Sequence, residues 1–411
     1  MRFSVVKYYS RPEIQNSMLD LARDREVVGC LSNGSYLKRP DILLYPKDII
    51  ERVKNGVISF HYSVERWFQP MQLSPNLKQE EIDSLRKGFD IIIDIDSKLK
   101  LEHALITAKI VYDFLKDLGT KATLKFSGRR GVHVGIAYEA LPKKVDFEDI
   151  SKRYPEIPQT ISEFIREKIK DYLLDELVSY EGGVASLTKN LQVSELSPYE
   201  FVEIEKNWGN RHLFRAPFSI HEKTGLVSLP LKAEELKKFK TKDARPERVR
   251  VLKKFLVNKE GEATELLIQA LDWKAKQPKI QIVKVKEVKY KFKRPIPEKF
   301  FPPCIKNILS GLSDGRKRSL FTLITFLRNM NWKDEDIEKK IMEWNKRNSQ
   351  PLRERFIKTQ LKWHFRQKRK LLPANCSSDL FYKSIGICQR NKFCGKNPVN
   401  YPFKFMKKYS K

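Results

Sequence analysis

The sequence has no apolar run that approaches the roughly 18 residues needed to cross a bilayer. Its opening stretch, MRFSVVKYYSRPEIQ, also lacks the apolar core of a secretory signal. Internal repeats and long low-complexity tracts are missing as well. These absences favour a cytoplasmic globular protein. The 411 residues, of which 41% are hydrophobic and 11% aromatic, suffice for two or three domains with cores of their own.

Acidic residues are scarce relative to basic ones. The chain has 51 Asp and Glu against 81 Lys and Arg, which gives a net charge of +30. Such a charge attracts polyanions, and nucleic acid is the leading candidate. The alternative is a Lys-rich surface left by biased base composition or by adaptation to heat. Residues 298–411 contain 27 Lys and Arg against 9 Asp and Glu, and this concentration favours a local binding role.

Cysteine is scarce too, and its distribution is uneven. Cys30 stands in an apolar stretch and is interpreted as a small buried residue. The other four are Cys304, Cys376, Cys388 and Cys394. In a cytosolic protein such a set indicates a metal rather than disulfides. Four thiolates suit Zn²⁺ or an iron–sulfur cluster, and buried free thiols remain the alternative.

The order of patterns predicts an α+β fold. GVISFHY and FDIIIDID are typical of strands, LEHALITAKIVYDFLKDLG of an amphipathic helix closed by Gly119, and KATLKFSGRRGVHVGIAY of two strands around a turn. We expect a mixed-sheet domain over residues 1–275, in which residues 232–275 are helical and charged. A linker over 276–297 and a mainly α-helical domain over 298–411 are predicted to follow.

Two acids end the apolar run of GFDIIIDIDSKL. Because side chains alternate along a strand, Asp94 and Asp96 project to the same face while Ile93 and Ile95 enter the core. Two neighbouring carboxylates repel each other, and a divalent cation such as Mg²⁺ or Mn²⁺ removes this penalty. The alternative is an exposed strand end that leads into a turn.

Two later stretches are rich in hydrogen-bond donors. FSGRRGVHV combines two glycines with basic and hydroxyl side chains, which suits a triphosphate, although a surface turn with two arginines is common. NRHLFRAPFSIHEKTGLVSLPL surrounds a Pro-Phe turn with further donors, and FVEIE upstream of it places Glu203 and Glu205 on one strand face. Acids and donor-rich turns are the parts of a metal-assisted phosphoryl or nucleotidyl transfer site.

DIIIDID, SGRRGVH and HLFRAPFSIHEKTG, in this order, resemble the three motifs of the archaeal and eukaryotic primase small subunit, over roughly residues 1–231. The resemblance implies that Asp94, Asp96 and a third acid, Glu203, hold two Mg²⁺ or Mn²⁺ ions, with Glu205 as the alternative third acid. The implied nucleotide contacts are Ser127, Arg129, Arg130, His133, Arg215, Ser219, His221 and Lys223. Lys38 or Arg39 is implied as a further phosphate contact.

The sequence departs from this family at one point. Primase small subunits often carry a Cys/His zinc knuckle between the first two motifs, but residues 97–126 contain His103 and no cysteine.

FPPCIKNILSGLSDGRKRSLFTLITFLRNMNW, followed by LPANC and GICQRNKFCGKNPVNY, resembles the C-terminal domain of the primase large subunit over roughly residues 298–402. This resemblance implies a [4Fe–4S] cluster on the four cysteines, with Zn²⁺ as the less favoured occupant. It also implies phosphate contacts from Arg316, Lys317 and Arg318.

Together the resemblances imply a DNA primase of DNA replication that makes short primers de novo on single-stranded DNA. Nucleoside triphosphates, ribo- or deoxy-, are the expected substrates. A monomer is expected because both primase functions lie in one chain, with replication proteins as possible partners. The alternatives are a primase-polymerase that acts in primer extension or repair, and a non-catalytic nucleic-acid-binding protein.

Overall fold

The computed structural model describes residues 2–189, 196–277, 294–367 and 370–409. Most of the predicted linker, residues 278–293, lies outside the described residues. The chain divides into two compact units, Met1–Lys279 and Ile280–Lys411. No helix in the described ranges is long and apolar enough to span a membrane.

The first unit combines helices with short strands, and the α+β fold class is confirmed. Its helices are α1 (Arg2–Tyr9), α2 (Pro12–Ala22), α3 (Pro46–Lys54), α4 (Gln79–Leu85), α5 (Leu101–Asp117), α6 (Glu156–Glu181), α7 (Val184–Thr188) and α8 (Thr264–Lys276). Its strands are β1 (Val27–Leu31), β2 (Val57–Ser63), β3 (Glu65–Trp67), β4 (Arg86–Phe89), β5 (Ile91–Ser97), β6 (Thr123–Phe126), β7 (Gly131–Ile136), β8 (Lys144–Val145), β9 (Glu148–Asp149), β10 (Val202–Ile204), β11 (Leu213–Arg215) and β12 (Pro230–Leu231).

Two sheets of the first unit position the candidate site. One has the strand order β10-β5-β7-β6-β12 and the other β1-β2-β11. Every strand pairing among the described residues is antiparallel, so the expectation of a mixed sheet needs correction. The reason is local: β6 and β7 form a hairpin, and β10 and β12 add to the two edges in opposite direction to their neighbours.

The strand β5 has the predicted alternation. Ile91, Ile93 and Ile95 are fully buried, and α5 packs against β5 and β7. This helix forms where it was predicted because Ala104, Ala108, Val111 and Leu115 recur at helical spacing and are buried. Gly119, with φ +75°, ends it as expected.

The segment after β12 is less helical than predicted. It forms two short 3₁₀ turns, Ala233–Glu235 and Thr241–Ala244, and a regular helix begins only at Thr264. The carboxylates of Glu235 and Asp243 accept hydrogen bonds from the backbone N–H of Lys232 and Lys240, which closes each turn locally. Such side-chain capping competes with a continuous helix.

The second unit is helical, with α9 (Pro303–Leu309), α10 (Arg316–Asn329), α11 (Asp334–Arg347), α12 (Glu354–Arg366), α13 (Asp379–Tyr382) and α14 (Asn400–Tyr409). The helix α10 packs against both α11 and α12. Its buried face carries Leu320, Leu323, Ile324 and Leu327 at three- and four-residue spacing. A separate hydrophobic core therefore forms in this unit.

Candidate active site

The acids of β5 meet acids of β10. Glu203 lies directly opposite Asp96, and Ile204 lies opposite Ile95. The backbone N–H of Glu205 donates to the carbonyl of Asp94 at 2.9 Å, so the register places Glu205 next to Asp94. Directly opposite residues of an antiparallel pair project to the same face. Four carboxylates consequently share one face at this edge of the sheet.

This crowding changes the proton affinity of the two aspartates. Burial and the carboxylate of Asp96 raise the pKa of Asp94, and Glu205 adds to the increase. Burial and the carboxylate of Glu203 raise the pKa of Asp96, although Arg130 opposes this. The side chain of Asp94 is 38% exposed overall, but its Oδ1 atom is buried and has no hydrogen-bond partner.

These residues fit a divalent cation. An unpartnered buried carboxylate oxygen among further carboxylates is stabilised when a cation with oxygen preference binds there. Among the described residues, no three His, Cys, Asp or Glu side chains converge on one point in ligand geometry. The carboxylates lie side by side on the strands instead.

The predicted triphosphate loop is the turn between β6 and β7. Gly128 has φ +109°, a backbone conformation that side chains disfavour. A Cβ atom at Gly131 would lie 2.2 Å from Oδ1 of Asp96. These two glycines therefore let the loop approach the acids closely. Arg129 is exposed and has no ion pair with any described residue, while Arg130 donates to the carbonyl of Lys98 at 3.1 Å.

His133 stands between the acids and a buried lysine. It lies opposite Asp94 on one side and opposite Lys125 on the other, and its Nε2 is 3.3 Å from Oδ1 of Asp94. Burial and the nearby ammonium of Lys125 lower the pKa of His133, which favours the neutral ring. Lys125 is fully buried, donates to Oγ of Ser228 at 2.9 Å and lies near the ring of Phe255.

Arg215 and His221 come from the third motif. Arg215 forms an ion pair of 2.9 Å with Glu222 and donates to the hydroxyl of Ser59. Burial and the guanidinium of Arg215 lower the pKa of His221 to about 4, so its ring is neutral at pH 7. The turn that carries His221 contacts the triphosphate loop, because Thr224 donates to the carbonyl of Gly128 at 2.7 Å.

These groups line one cleft of about 300 Å³. Eight of the predicted site residues line it, namely Asp94, Asp96, Ser127, Arg129, Arg130, His133, Arg215 and His221. Glu205 lines the cleft and Glu203 does not. The cleft thus has an acidic side at β5 and β10 and a donor-rich side at the two turns, as an ion-assisted reaction of a triphosphate requires.

The other predicted contacts lie outside this lining. Ser219 is buried and accepts a hydrogen bond of 2.8 Å from the backbone N–H of Phe60. Lys223 donates its backbone N–H to Nδ1 of His221. Arg39 is held by Glu26 at 2.7 Å, whereas Lys38 is exposed.

The sequence did not single out Tyr36, His61 or His212, which also line the cleft. Tyr36 is 54% exposed and its ring meets that of His61 edge-on, with ring centroids 5.1 Å apart. Both residues lie on the β1-β2-β11 sheet or its connecting turn, where β2 pairs with β11. The only signal in the sequence was the aromatic and histidine content of FHYS and GSY.

The place of the missing zinc knuckle is taken by α5. Its His103 is buried and contacts Oε1 of Glu181 through Nε2 at 2.6 Å. This histidine does not line the cleft, and its contact with Glu181 joins α5 to the end of α6.

The four cysteines of the second unit interact with one another. Burial, and then the thiols of Cys376 and Cys394, raise the pKa of Cys304 to about 12. Burial and the thiols of Cys394 and Cys388 raise the pKa of Cys376. Thiols close enough to oppose one another's ionisation suit a cationic centre that binds thiolates. The donor set therefore fits a metal or cluster, although no metal geometry is formed among the described residues.

The predicted phosphate contacts of this unit are the first three residues of α10. Arg316 donates to the carbonyl of Gln350 at 2.6 Å. Lys317 is exposed, with its Nζ 5.6 Å from the ring centre of Phe356, and Arg318 is half-buried.

The acidic and donor-rich segments of the cleft lie within one stretch that matches a known protein family. Residues 89–233 match the DNA primase small subunit family. This span contains Asp94, the triphosphate loop and Arg215, and it supports a primase- or polymerase-type nucleotidyltransferase. No curated protein matches the chain. The match ends before the second unit, so it does not extend to the cysteines.

A solved structure gives a weaker likeness. The polymerase domain of Mycobacterium tuberculosis ligase D, in complex with DNA, is similar over 66% of this chain and 89% of that chain, with 15% sequence identity and a TM-score of 0.39.

Proposed function

We propose that this chain is a DNA primase that synthesises short primers de novo on single-stranded DNA. The observation that carries the proposal is the cleft in which β5 and β10 bring carboxylates to face two donor-rich turns, within the segment that matches the primase small subunit family. The nucleotidyl transfer would join the 3′-hydroxyl of one nucleotide to the α-phosphate of the next, with release of pyrophosphate.

Asp94, Asp96 and Glu203 would hold two Mg²⁺ or Mn²⁺ ions. When bound, such ions lower the pKa of an attacking hydroxyl and neutralise charge on the triphosphate and the departing pyrophosphate. Arg129, which is exposed, lines the cleft and makes no ion pair with the described residues, is available for a phosphate oxygen. His133 and His221, kept neutral, would donate hydrogen bonds, so they would orient the triphosphate without adding charge.

The second unit would hold the template and the initiating nucleotide. Its helix α12 supports this role, because the exposed side chains of Arg355, Lys358, Lys362 and Arg366 recur every three or four residues and so share one face. None of the four is ion-paired within the described ranges. Trp363, which is 50% exposed, follows Lys362 in the chain and lies three residues before Arg366, which makes Arg366 its neighbour on the helix surface. Cations around an exposed aromatic ring suit single-stranded nucleic acid.

Cys304, Cys376, Cys388 and Cys394 would hold a [4Fe–4S] cluster. Their mutual influence on pKa supports a shared site, and four thiolates are the usual ligand set of such a cluster. Protein purified without oxygen should absorb in the visible range and contain about four irons per chain. A colourless preparation with one zinc per chain would contradict the cluster.

The deciding experiment is primer synthesis on single-stranded templates without a primer, with ribonucleotides and deoxynucleotides tested separately. Dinucleotides and longer products should form from triphosphates alone. Extension of only pre-primed templates would instead indicate a primase-polymerase. The double variant Asp94→Ala, Asp96→Ala should lose synthesis and retain single-strand binding. Unchanged synthesis in that variant would refute the metal assignment and leave a nucleic-acid-binding protein.

A further inference from the structure

The carboxylates of the cleft are arranged as two facing pairs. In the outer pair Glu203 lies directly opposite Asp96. In the inner pair Glu205 adjoins Asp94, to whose carbonyl it donates its backbone N–H. Opposite residues of an antiparallel sheet have Cβ atoms about 4.5–5.5 Å apart. Each pair can therefore approach one cation.

Each acid of the inner pair has a histidine. Nε2 of His133 lies 3.3 Å from Oδ1 of Asp94, and Nε2 of His212 lies 3.1 Å from Oε2 of Glu205. The ring of His212 is in turn fixed against Trp208, with ring centroids 5.3 Å apart. Carboxylates that bind metal ions are themselves usually held by hydrogen bonds from neighbouring groups. The outer pair has no such histidine among the described residues.

Unpartnered polar atoms point to a ligand at the inner pair. His133 is 4% exposed and lines the cleft, and its Nδ1 has no hydrogen-bond partner. Oδ1 of Asp94 is buried and also unpartnered. Buried polar atoms without partners are costly in a folded protein unless an ion or ligand satisfies them.

The pairing register assigns Glu205 to this inner position. Glu203 lies opposite Asp96, whereas the backbone N–H of Glu205 donates to the carbonyl of Asp94 and its carboxylate contacts His212. Glu205 lines the cleft and Glu203 does not. Both glutamates thus belong to the acidic site, each with its own aspartate.

We propose that Glu205 is a metal ligand in addition to Glu203, that the ion nearest Asp94 is held by Asp94 and Glu205, and that His212 is the positioning residue for Glu205. This inference rests on the proposed two-ion function. It adds a fourth carboxylate to the three that the motifs supply. The inner site is then the better prepared of the two, because His212 already holds the carboxylate of Glu205.

The test is a titration of the intact chain with Mn²⁺, without nucleotide or DNA. The electron paramagnetic resonance signal of free Mn²⁺ reports how much of the ion is bound. The wild type should bind two ions. Glu205→Gln should lower the Mn²⁺ affinity of the tighter site by about tenfold or more and leave the affinity of the other site unchanged. Glu203→Gln should weaken the other site. His212→Gln should weaken the tighter site by a smaller factor, about threefold to tenfold, with unchanged stoichiometry.

The chain offers a matched control. Glu181 also contacts a histidine, His103, at 2.6 Å, but outside the cleft. Glu181→Gln removes the same charge and the same type of contact, and it should bind Mn²⁺ as the wild type does. Circular dichroism should confirm that every variant is folded. If Glu205→Gln does not fold, the Mn²⁺ affinity of His212→Gln tests the role of Glu205.

The outcomes separate the two hypotheses. A wild type that binds no Mn²⁺ up to millimolar concentration would refute the proposed function itself. A wild type that binds two ions, with the same two affinities in Glu205→Gln and in His212→Gln, would overturn the role of Glu205 and leave the proposed function standing. Equal weakening by Glu181→Gln would also overturn it, because the effect would then be one of net charge.

Discussion

Gly131 lies directly opposite Asp96 in the pairing of β7 with β5. A Cβ atom at Gly131 would lie 2.2 Å from Oδ1 of Asp96 and 2.8 Å from the carbonyl oxygen of Ile95. The second contact is with backbone, which cannot move aside as a flexible side chain can. The absence of a side chain at position 131 therefore keeps the triphosphate loop and the acidic strand in register.

Gly131→Ala should lower the rate of nucleotidyl transfer by at least about tenfold, because a misplacement of about 1 Å in a catalytic group has effects of this size or more. Gly209→Ala is the matched control, since nothing lies within 4 Å of the added Cβ and its backbone is unstrained. The measurement is the steady-state rate of primer synthesis. Equal rates in both variants would show that Asp96 tolerates the displacement.

The carboxylate of Asp94 experiences electrostatic repulsion from its neighbours. Burial and the carboxylates of Asp96 and Glu205 raise its pKa, and Oδ1 lacks a partner. Asp94→Asn should therefore stabilise the protein in the presence of a chelator, by about 1–2 kcal/mol, as substitutions at functional sites often do. Urea unfolding with EDTA measures this gain.

The same variant should respond less to metal. Added Mn²⁺ should stabilise the wild type, because an ion that binds only the folded state shifts unfolding by mass action, and it should stabilise Asp94→Asn much less. Asp113→Asn, at a surface ion pair with Lys109, is the control and should retain the full response to Mn²⁺. If chelated Asp94→Asn is less stable than the wild type, the carboxylate has a structural partner and the repulsion argument is wrong.

The residues that the sequence predicted best are those whose position follows from strand alternation and turn chemistry. Asp94 and Asp96 had to share a face once FDIIIDID was a strand, and the glycines of SGRRG had to form the turn beside them. The structure places both aspartates at the cleft, together with Ser127, Arg129 and Arg130 of that turn. Their roles as ligands and phosphate contacts stay predictions.

What the sequence could not supply was the second sheet. Tyr36 and His61 reach the cleft only because β2 pairs with β11, 150 residues further along the chain, and no local pattern encodes that pairing. Ser219 shows the opposite case. Its hydroxyl accepts the N–H of Phe60, so a donor-rich motif contributes one of its members to the packing of β2.

Lys125 has an environment that is unusual for a lysine. Lysine side chains are mostly exposed, but Lys125 is fully buried near the rings of Phe214 and Phe255. The covering residues come from distant segments. Burial and the guanidinium of Arg215 lower the pKa of Lys125 well below its ordinary value of 10.5, and Asp94 opposes the shift.

The lowered pKa of Lys125 predicts that the stability of the folded protein depends on pH. Between the lowered pKa of the folded state and 10.5, the unfolded chain binds a proton at Lys125 that the folded chain does not, so stability should rise with pH across this window. Lys125→Met should abolish this rise of stability with pH. The variant should exceed the wild type in stability most at the acidic end of the window, where burial of Lys125 costs the wild type most. Lys121→Met, at an exposed position of the segment before β6, should leave the slope unchanged.

Urea unfolding of the three proteins at several pH values up to about 10 measures the slope. Identical pH dependence in Lys125→Met and the wild type would mean that Lys125 keeps its ordinary proton affinity despite its burial.

The last prediction concerns nucleic-acid binding by the exposed face of α12. Trp363 is 50% exposed on the same helix as the exposed Lys358 and Lys362. Stacking of one base on an aromatic ring contributes about 1–3 kcal/mol, so Trp363→Ala should weaken binding of a fluorescent oligothymidylate by about 5- to 150-fold without changing the salt dependence. The double variant Lys358→Gln, Lys362→Gln should instead reduce the slope of log affinity against log salt by about 1.4.

Lys339→Gln, Lys346→Gln on α11 is the matched control, because it removes the same charge from exposed positions of another helix. Fluorescence anisotropy of the full chain at several salt concentrations separates the three results. If the α11 variant lowers the slope as much as the α12 variant, binding depends on net charge rather than on the α12 face. If Trp363→Ala binds as tightly as the wild type, no base stacks on that ring, and the second unit would have to hold its template through another surface.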